Sequence, residues 1–157
     1  MRPRDLLTTA EILLESGRGK PTTASLCRAI SSTYYAMFHC LAYESANLLI
    51  GSTKRRRSEL AWRQVYRSLE HGLCKTKCKK IKDSIEKFPG NIIDFANGFV
   101  TMQEKRHAAD YNPHFRVTKS EVRAFIATTK AVIDGFEKCA AKDKRAFCAY
   151  VLLKDRN

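Results

Sequence analysis

"TTASLCRAISSTYYAMFHCLAYESANLLIG", residues 22–51, is the stretch on which the fold turns. Ile30, Thr33, Met37, Leu41 and Leu48 fall on one face of an α-helix at roughly 100° per residue, with Tyr34 beside them. This spacing predicts one long helix from about Thr22 to Leu49, spanning about 22–50 with its ends, and closed by Gly51. A polar stripe runs along the same segment: Arg28, Ser32, Tyr35 and His39 recur at spacings of four, three and four. They share a sector of about 60° opposite the apolar face. Such a stripe lines a solvated cleft or a subunit interface, or is simply the solvent face.

Outward from this segment the helical pattern continues in both directions. Leu6, Leu7, Ala10, Leu13 and Leu14 have helical spacing within residues 5–16, and "SGRGKP" ends them. "SELAWRQVYRSLEHG", residues 58–72, predicts a third helix with Ser58 as N-cap and Leu60, Val65 and Leu69 inward; Trp62 and Tyr66 read as packing residues. The lysine-rich "LCKTKCKKIKDSIEKFPG" is either a short helix or an ordered loop ending at Pro89-Gly90. From about Asn91 to Tyr111, Ile92, Phe95, Phe99 and Met102 form another apolar stripe, which Pro113 halts. "TKSE" at residues 118–121 has the form of a capping box, and Val122, Phe125, Ile126, Val132, Ile133 and Phe136 follow it. "KDKRAFCAYVLLKDR" adds a last helical segment. Neither sustained alternation nor a hairpin turn appears. The expected fold is therefore all-α, an up-and-down bundle of four to five main helices in a single domain over residues 1–157.

Charge narrows the possible partners. The chain has 29 Lys plus Arg against 16 Asp plus Glu, a formal net charge of +13. An excess of this size favours polyanions, of which nucleic acid is the commonest. The run Lys54, Arg55, Arg56, Arg57 and the cluster Lys75, Lys77, Lys79, Lys80 with Lys82 are the candidates for phosphate-backbone contacts. The six cysteines sit mostly among apolar residues at helical positions and read as reduced, largely buried thiols. No apolar run approaches the roughly 18 residues of a membrane helix. The opening residues carry no long hydrophobic region, so a cytoplasmic protein with no membrane association is expected. His71, Cys74 and Cys78 have helical spacing but supply only three ligands, beside Gly72 and several lysines, so no metal site is expected. No glycine-rich phosphate loop, paired acidic metal site or Ser-His-Asp order stands out, and no cofactor is expected.

"EKRHAADYNPHF", residues 104–115, holds the main candidate site. Helical steps from Phe99 and Met102 lead to Arg106 and Asp110, which places the arginine on or beside the inward face. A guanidinium there stays charged and must find acceptors. Asp110, one turn on, can supply one, and the two would then simply hold a helix end together. Alternatively Arg106 is a phosphate ligand, or stabilises the pentacoordinate transition state of RNA cleavage, with His107 or His114 handling protons. His107 points about 100° away from Arg106 around the helix, and His114 lies beyond a proline.

"RAISSTYYAMFHCLAYESANLLIG" resembles the first long core helix of HEPN (higher eukaryotes and prokaryotes nucleotide-binding) domains, and "QEKRHAADYNP" resembles their late-helix motif of an arginine followed closely by Ala-Asp-Tyr. "AWRQVYRSLEHG" and "DKRAFCAYVLLKDR" are similar to segments of an uncharacterised bacterial branch, so the resemblance spans roughly residues 22–155. It implies a four- or five-helix bundle that dimerises, with the late-helix motifs of two protomers around a basic cleft. It also implies a metal-independent endoribonuclease of a toxin–antitoxin or phage-defence type, leaving a 2′,3′-cyclic phosphate. Arg106, His107 and His114 would be the catalytic residues. Asp110, Tyr111, Arg28, Ser32, Tyr35 and His39 would support them or bind ligand. The family's signature places a histidine about four to six residues after the arginine's polar neighbour; here that window holds Tyr111, Asn112 and Pro113, with His114 one step beyond. The alternative is a non-catalytic module that binds nucleotide, RNA or a cognate protein, such as a nucleotidyltransferase-like partner.

Overall fold

The computed structural model describes residues 2–17 and 19–156. They form α1 (Pro3–Glu15), α2 (Thr23–Leu49), α3 (Glu59–Ser68), α4 (His71–Lys79), α5 (Gly90–Tyr111), α6 (Lys119–Glu137) and α7 (Ala141–Leu152), with a 3-10 turn at Ile81–Asp83. Among the described residues there is no strand. The all-α bundle expected from periodicity is what forms. The lysine-rich segment, left open between helix and loop, resolves into α4 plus the 3-10 turn.

The long helix α2 is the axis of the bundle and packs against α1, α3, α5, α6 and α7. Its side chains explain how one helix accommodates so many neighbours. Ile30, Tyr34, Met37 and Leu41 fill the interior, while Ala29, Ala36, Ala42 and Ala46, all fully buried, let flanking helices approach closely. Thr33 is equally buried, and its hydroxyl donates to the carbonyl of Ala29 at 2.7 Å, so no polar atom is stranded there. The Thr22 side chain accepts from Ser25 N–H at 3.1 Å and starts the helix; Gly51, at φ 143°, ends it with a conformation that suits glycine.

Around this axis the predicted apolar stripes pack as expected. Ile92, Phe95 and Phe99 of α5 are fully buried and Met102 nearly so. Phe95 stacks on Phe136 of α6 with ring centroids 4.5 Å apart, and Phe147 of α7 meets both rings edge-on. α6 opens with the predicted capping box: Glu121 N–H donates to the Thr118 hydroxyl at 3.1 Å, and Thr118 N–H to the Glu121 carboxylate at 2.7 Å. Exposed ion pairs fasten α1 to α6, from Arg4 to Asp134 and Glu137 at 2.7 Å and from Glu15 to Lys119 and Arg123 at 3.0 Å. Exposed pairs of this kind are screened by water and stabilise only weakly, so the buried face of Leu7, Ala10 and Leu14 dominates the docking of α1.

α3 corrects one expectation. Leu60 was expected inward and is 80% exposed, and the helix itself buries no residue fully. Aromatic edges hold it instead. Trp62 Nε1–H donates to Asn47 Oδ1 at 2.9 Å, Tyr66 stacks on Trp62 at 5.2 Å, and the Tyr66 hydroxyl meets His39 Nδ1. Leu69 is buried, as expected, although it lies just past the helix end.

The contrast between the two faces is testable. Phe99→Ala, which empties a fully buried ring position, should cost about 3–5 kcal/mol of unfolding free energy in urea titrations. Leu60→Ala should stay within about 0.5 kcal/mol of wild type.

Candidate functional site around Arg106

Arg106 sits one turn before the end of α5, against the middle of α2. Its side chain is 15% exposed and that of Asp110 is 24% exposed. Nη1 of Arg106 donates to Asp110 Oδ2 at 3.3 Å, and the Ser31 hydroxyl donates to Asp110 Oδ1 at 2.8 Å. The helical pair foreseen at this position therefore forms, and a serine from α2 holds it. The partner is Ser31, which points inward, whereas the neighbouring Ser32 lies on the predicted polar stripe. The guanidinium carbon lies 5.2 Å from the ring centre of Tyr34 and 5.8 Å from that of Tyr35, within range of the attraction between a cation and an aromatic face. Nε of Arg106 is buried and has no hydrogen-bond partner. Buried guanidinium donors normally have acceptors, so an unpaired one marks a place where water or a ligand atom belongs.

A histidine from another helix reaches the same two tyrosines. His71, the first residue of α4, stacks on Phe38 with ring centroids 4.0 Å apart and planes 18° apart. Its Nδ1 meets the hydroxyl of Tyr34, and its ring lies 5.6 Å from Tyr34 and 6.0 Å from Tyr35. Arg106 and His71 thus flank the same pair of tyrosines. Burial lowers the pKa of His71, and the charge of Arg106 and the nearby His39 lower it further. Burial raises that of the Tyr34 phenol far above neutrality, so the phenol keeps its proton. His39, one turn beyond Tyr35, is likewise lowered by burial and is bonded to Tyr66.

The other proposed site residues are distributed less favourably. His107 is exposed and packs against Tyr111, itself 68% exposed, with ring centroids 4.9 Å apart and planes tilted by 52°. His114 lies past the end of α5, where its backbone N–H donates to Asn112 Oδ1 at 2.9 Å. Neither ring meets Tyr34 or Tyr35 as His71 does. Arg28 is exposed and, with Thr23, Ala24, Cys27, Ala109, Asp110 and Tyr111, lines a polar cleft of about 400 Å³ between the start of α2 and the end of α5. Ser32, Tyr35 and His39 are half-buried, so this part of the stripe is partly covered instead of lying free in solvent. Sequence periodicity did not single out His71 or Ser31 for this site, because their partners are 37 and 79 residues away in the chain.

The basic clusters divide into two kinds. Lys77 is only 7% exposed; its Nζ donates to Asp155 at 2.7 Å and lies 4.9 Å from the Tyr150 ring, so it ties α4 to the segment after α7 and does not face solvent. Arg57 stacks at 4.3 Å on Trp62 and bonds Glu59 at 2.8 Å, a structural placement also removed from the expected phosphate contacts. Lys75 and Lys79 converge on Glu104 at 3.3 and 3.2 Å. Lys54, Arg55, Arg56 and Lys80 remain exposed. Cys74 and Cys78 are buried with sulfurs 4.0 Å apart, and their mutual contact, together with burial, raises the Cys74 thiol pKa. Among the described residues, no group of three or more His, Cys, Asp or Glu side chains is arranged to hold a metal ion.

The two buried histidines give stability a defined pH dependence. Their folded-state pKa values lie below the unfolded value of about 6.5, so protonation favours the unfolded chain. The contribution is intact above that value and is lost as pH falls from there through the lower folded-state values. Thermal unfolding across this range should show wild type losing more stability on acidification than a His39→Gln/His71→Gln variant, which lacks both titrations.

Comparison with known proteins finds no matching family model, no similar curated protein and no similar solved structure.

Proposed function

We propose that the protein is an RNA-directed, HEPN-like module whose Arg106 engages an RNA phosphate. The observation that carries this reading is the state of that arginine. It is held against two tyrosine rings, with a buried Nε that lacks an acceptor and a single ion pair at 3.3 Å. A phosphate oxygen satisfies a guanidinium donor better than an empty contact does. The net charge of +13 supplies long-range attraction for a polyanion, and exposed Arg28, Lys54, Arg55 and Arg56 supply backbone contacts.

Metal-independent cleavage is the candidate activity, with Arg106 stabilising the charge that builds up on the phosphorus oxygens as the ribose 2′-oxygen attacks. Its support is confined to the arginine, since His107 packs on Tyr111 and His114 lies beyond the helix. One observation favours the non-catalytic reading. Asp110, held by Ser31, already neutralises part of the Arg106 charge, as expected for an arginine tuned for binding.

The test measures binding and cleavage separately. Wild type should bind a fluorescein-labelled single-stranded RNA at low salt, and Arg106→Ala should weaken binding at least about tenfold, the loss of one charge-assisted contact. Asp110→Asn, which removes the competing carboxylate, should tighten binding several-fold. Incubation with RNA in EDTA then decides the activity: cleavage to 2′,3′-cyclic phosphate ends that disappears in Arg106→Ala establishes the nuclease. RNA that is bound but left intact at high protein concentration leaves the binding module.

A further inference from the structure

We propose that His71 is the histidine that acts with Arg106, donating its Nε2–H to the same RNA phosphate. The inference rests on the RNA-directed reading above and adds a second ligand to its site, from a helix that the late-helix motif does not include.

Four observations converge on this residue. First, His71 and Arg106 approach the same two rings: Tyr34 lies 5.6 Å from the imidazole and 5.2 Å from the guanidinium carbon, and Tyr35 lies 6.0 and 5.8 Å from them. Second, the imidazole is fixed in orientation by its stack on Phe38 and its bond to the Tyr34 hydroxyl. Third, that bond determines which nitrogen carries the hydrogen. Tyr34 is fully buried, its phenol stays protonated, and His71 Nδ1 is its only hydrogen-bond partner among the described residues. The phenol therefore donates to Nδ1, and the neutral imidazole carries its hydrogen on Nε2. Fourth, Arg106 Nε is a buried donor with no acceptor beside the same tyrosines, and the half-buried His71 uses only its Nδ1 toward the protein, which leaves Nε2 for a ligand. An oxyanion is the ligand chemistry that a guanidinium and an imidazole N–H on one tyrosine pair have in common.

A proton is linked to this contact. The groups around His71 are Tyr34, Tyr35, Phe38 and His39 from α2, Cys74 one turn on in α4, and Arg106 from α5. None of these supplies a negative charge near neutrality; Glu70, the preceding residue, is exposed and is not among the groups that shift His71, and the carboxylate of Asp110 is taken up by Arg106 and Ser31. The free site accordingly disfavours the imidazolium. A bound phosphate provides the missing negative charge, so binding raises the proton affinity of His71, and acidification must in turn tighten binding.

The test uses the whole chain and a single-stranded RNA oligonucleotide. The chain has four histidines, so their imidazole resonances can be assigned from single variants and titrated by NMR with and without RNA. RNA should raise the pKa of His71. In parallel, wild-type affinity by fluorescence anisotropy should rise about tenfold from about pH 8 to about pH 5.5, and His71→Gln should reduce that change to about twofold or less. The NMR titration uses wild type, so a poorly folded His71→Gln leaves the inference testable. RNA that binds in an Arg106-dependent way while the His71 resonance stays unmoved overturns the inference and spares the RNA-directed reading. A pH dependence that survives in folded His71→Gln also overturns it. Absence of RNA binding to wild type at low salt overturns both.

Discussion

The phenol of Tyr34 is buried at the centre of α2, and a hydroxyl there without a partner would cost roughly 1–3 kcal/mol. His71 provides the partner, and much of the arrangement around the site depends on that one bond. It anchors the first residue of α4 to α2 and so sets where the lysine-rich segment runs. From that anchor, Cys74 and Cys78 turn into the interior and Lys77 reaches Asp155. The same bond leaves an imidazole at the edge of the tyrosine pair on which Arg106 rests. A bond that closes the core thereby also builds one wall of the candidate site.

The row of rings that begins at Tyr34 continues through Phe38, His71 and His39 to Tyr66 and Trp62, and Arg57 stacks on the far end. This explains how α3 docks without a buried apolar stripe. Stacked rings bury large areas while their polar atoms bond sideways, Trp62 to Asn47 and Tyr66 to His39. Both ends of the row carry an arginine, but the two differ in use. Arg57 is satisfied by Glu59 and the carbonyl of Gly51, whereas Arg106 keeps an unpaired Nε. Positive charge in this protein is thus partly spent on holding helices together. The +13 balance overstates what is available to a partner.

Legibility in the sequence followed the range of the interaction. The stripe Ile92, Phe95, Phe99 and Met102, the Thr118 capping box and the Arg106–Asp110 pair lie within a few residues of chain, where helical geometry alone sets distances. Leu60 shows the limit of the same reasoning. Helical spacing made it a candidate for the core, but large aromatic neighbours on the next sector of α3 bury more surface against α2, and the helix turned toward them. Lys77 is a second case: nothing in a lysine run distinguishes one member, and only the arrival of Asp155 and Tyr150 from the other end of the chain gave it a buried partner.

By itself, the sequence determined the all-helical class, the long central helix, the helix ends marked by Thr22, Thr118 and Pro113, and the inward position of Arg106, since each follows from periodicity or local backbone chemistry. Only the tertiary structure decided which histidine shares the Tyr34–Tyr35 pair with that arginine. His107 is adjacent in sequence but a helix turns it away by roughly 100°, while His71, from a separate helix, is drawn in because a buried phenol required a partner. Burial and hydrogen-bond satisfaction act between elements and not along them, which is why the composition of the site became visible only when α2, α4 and α5 were packed together.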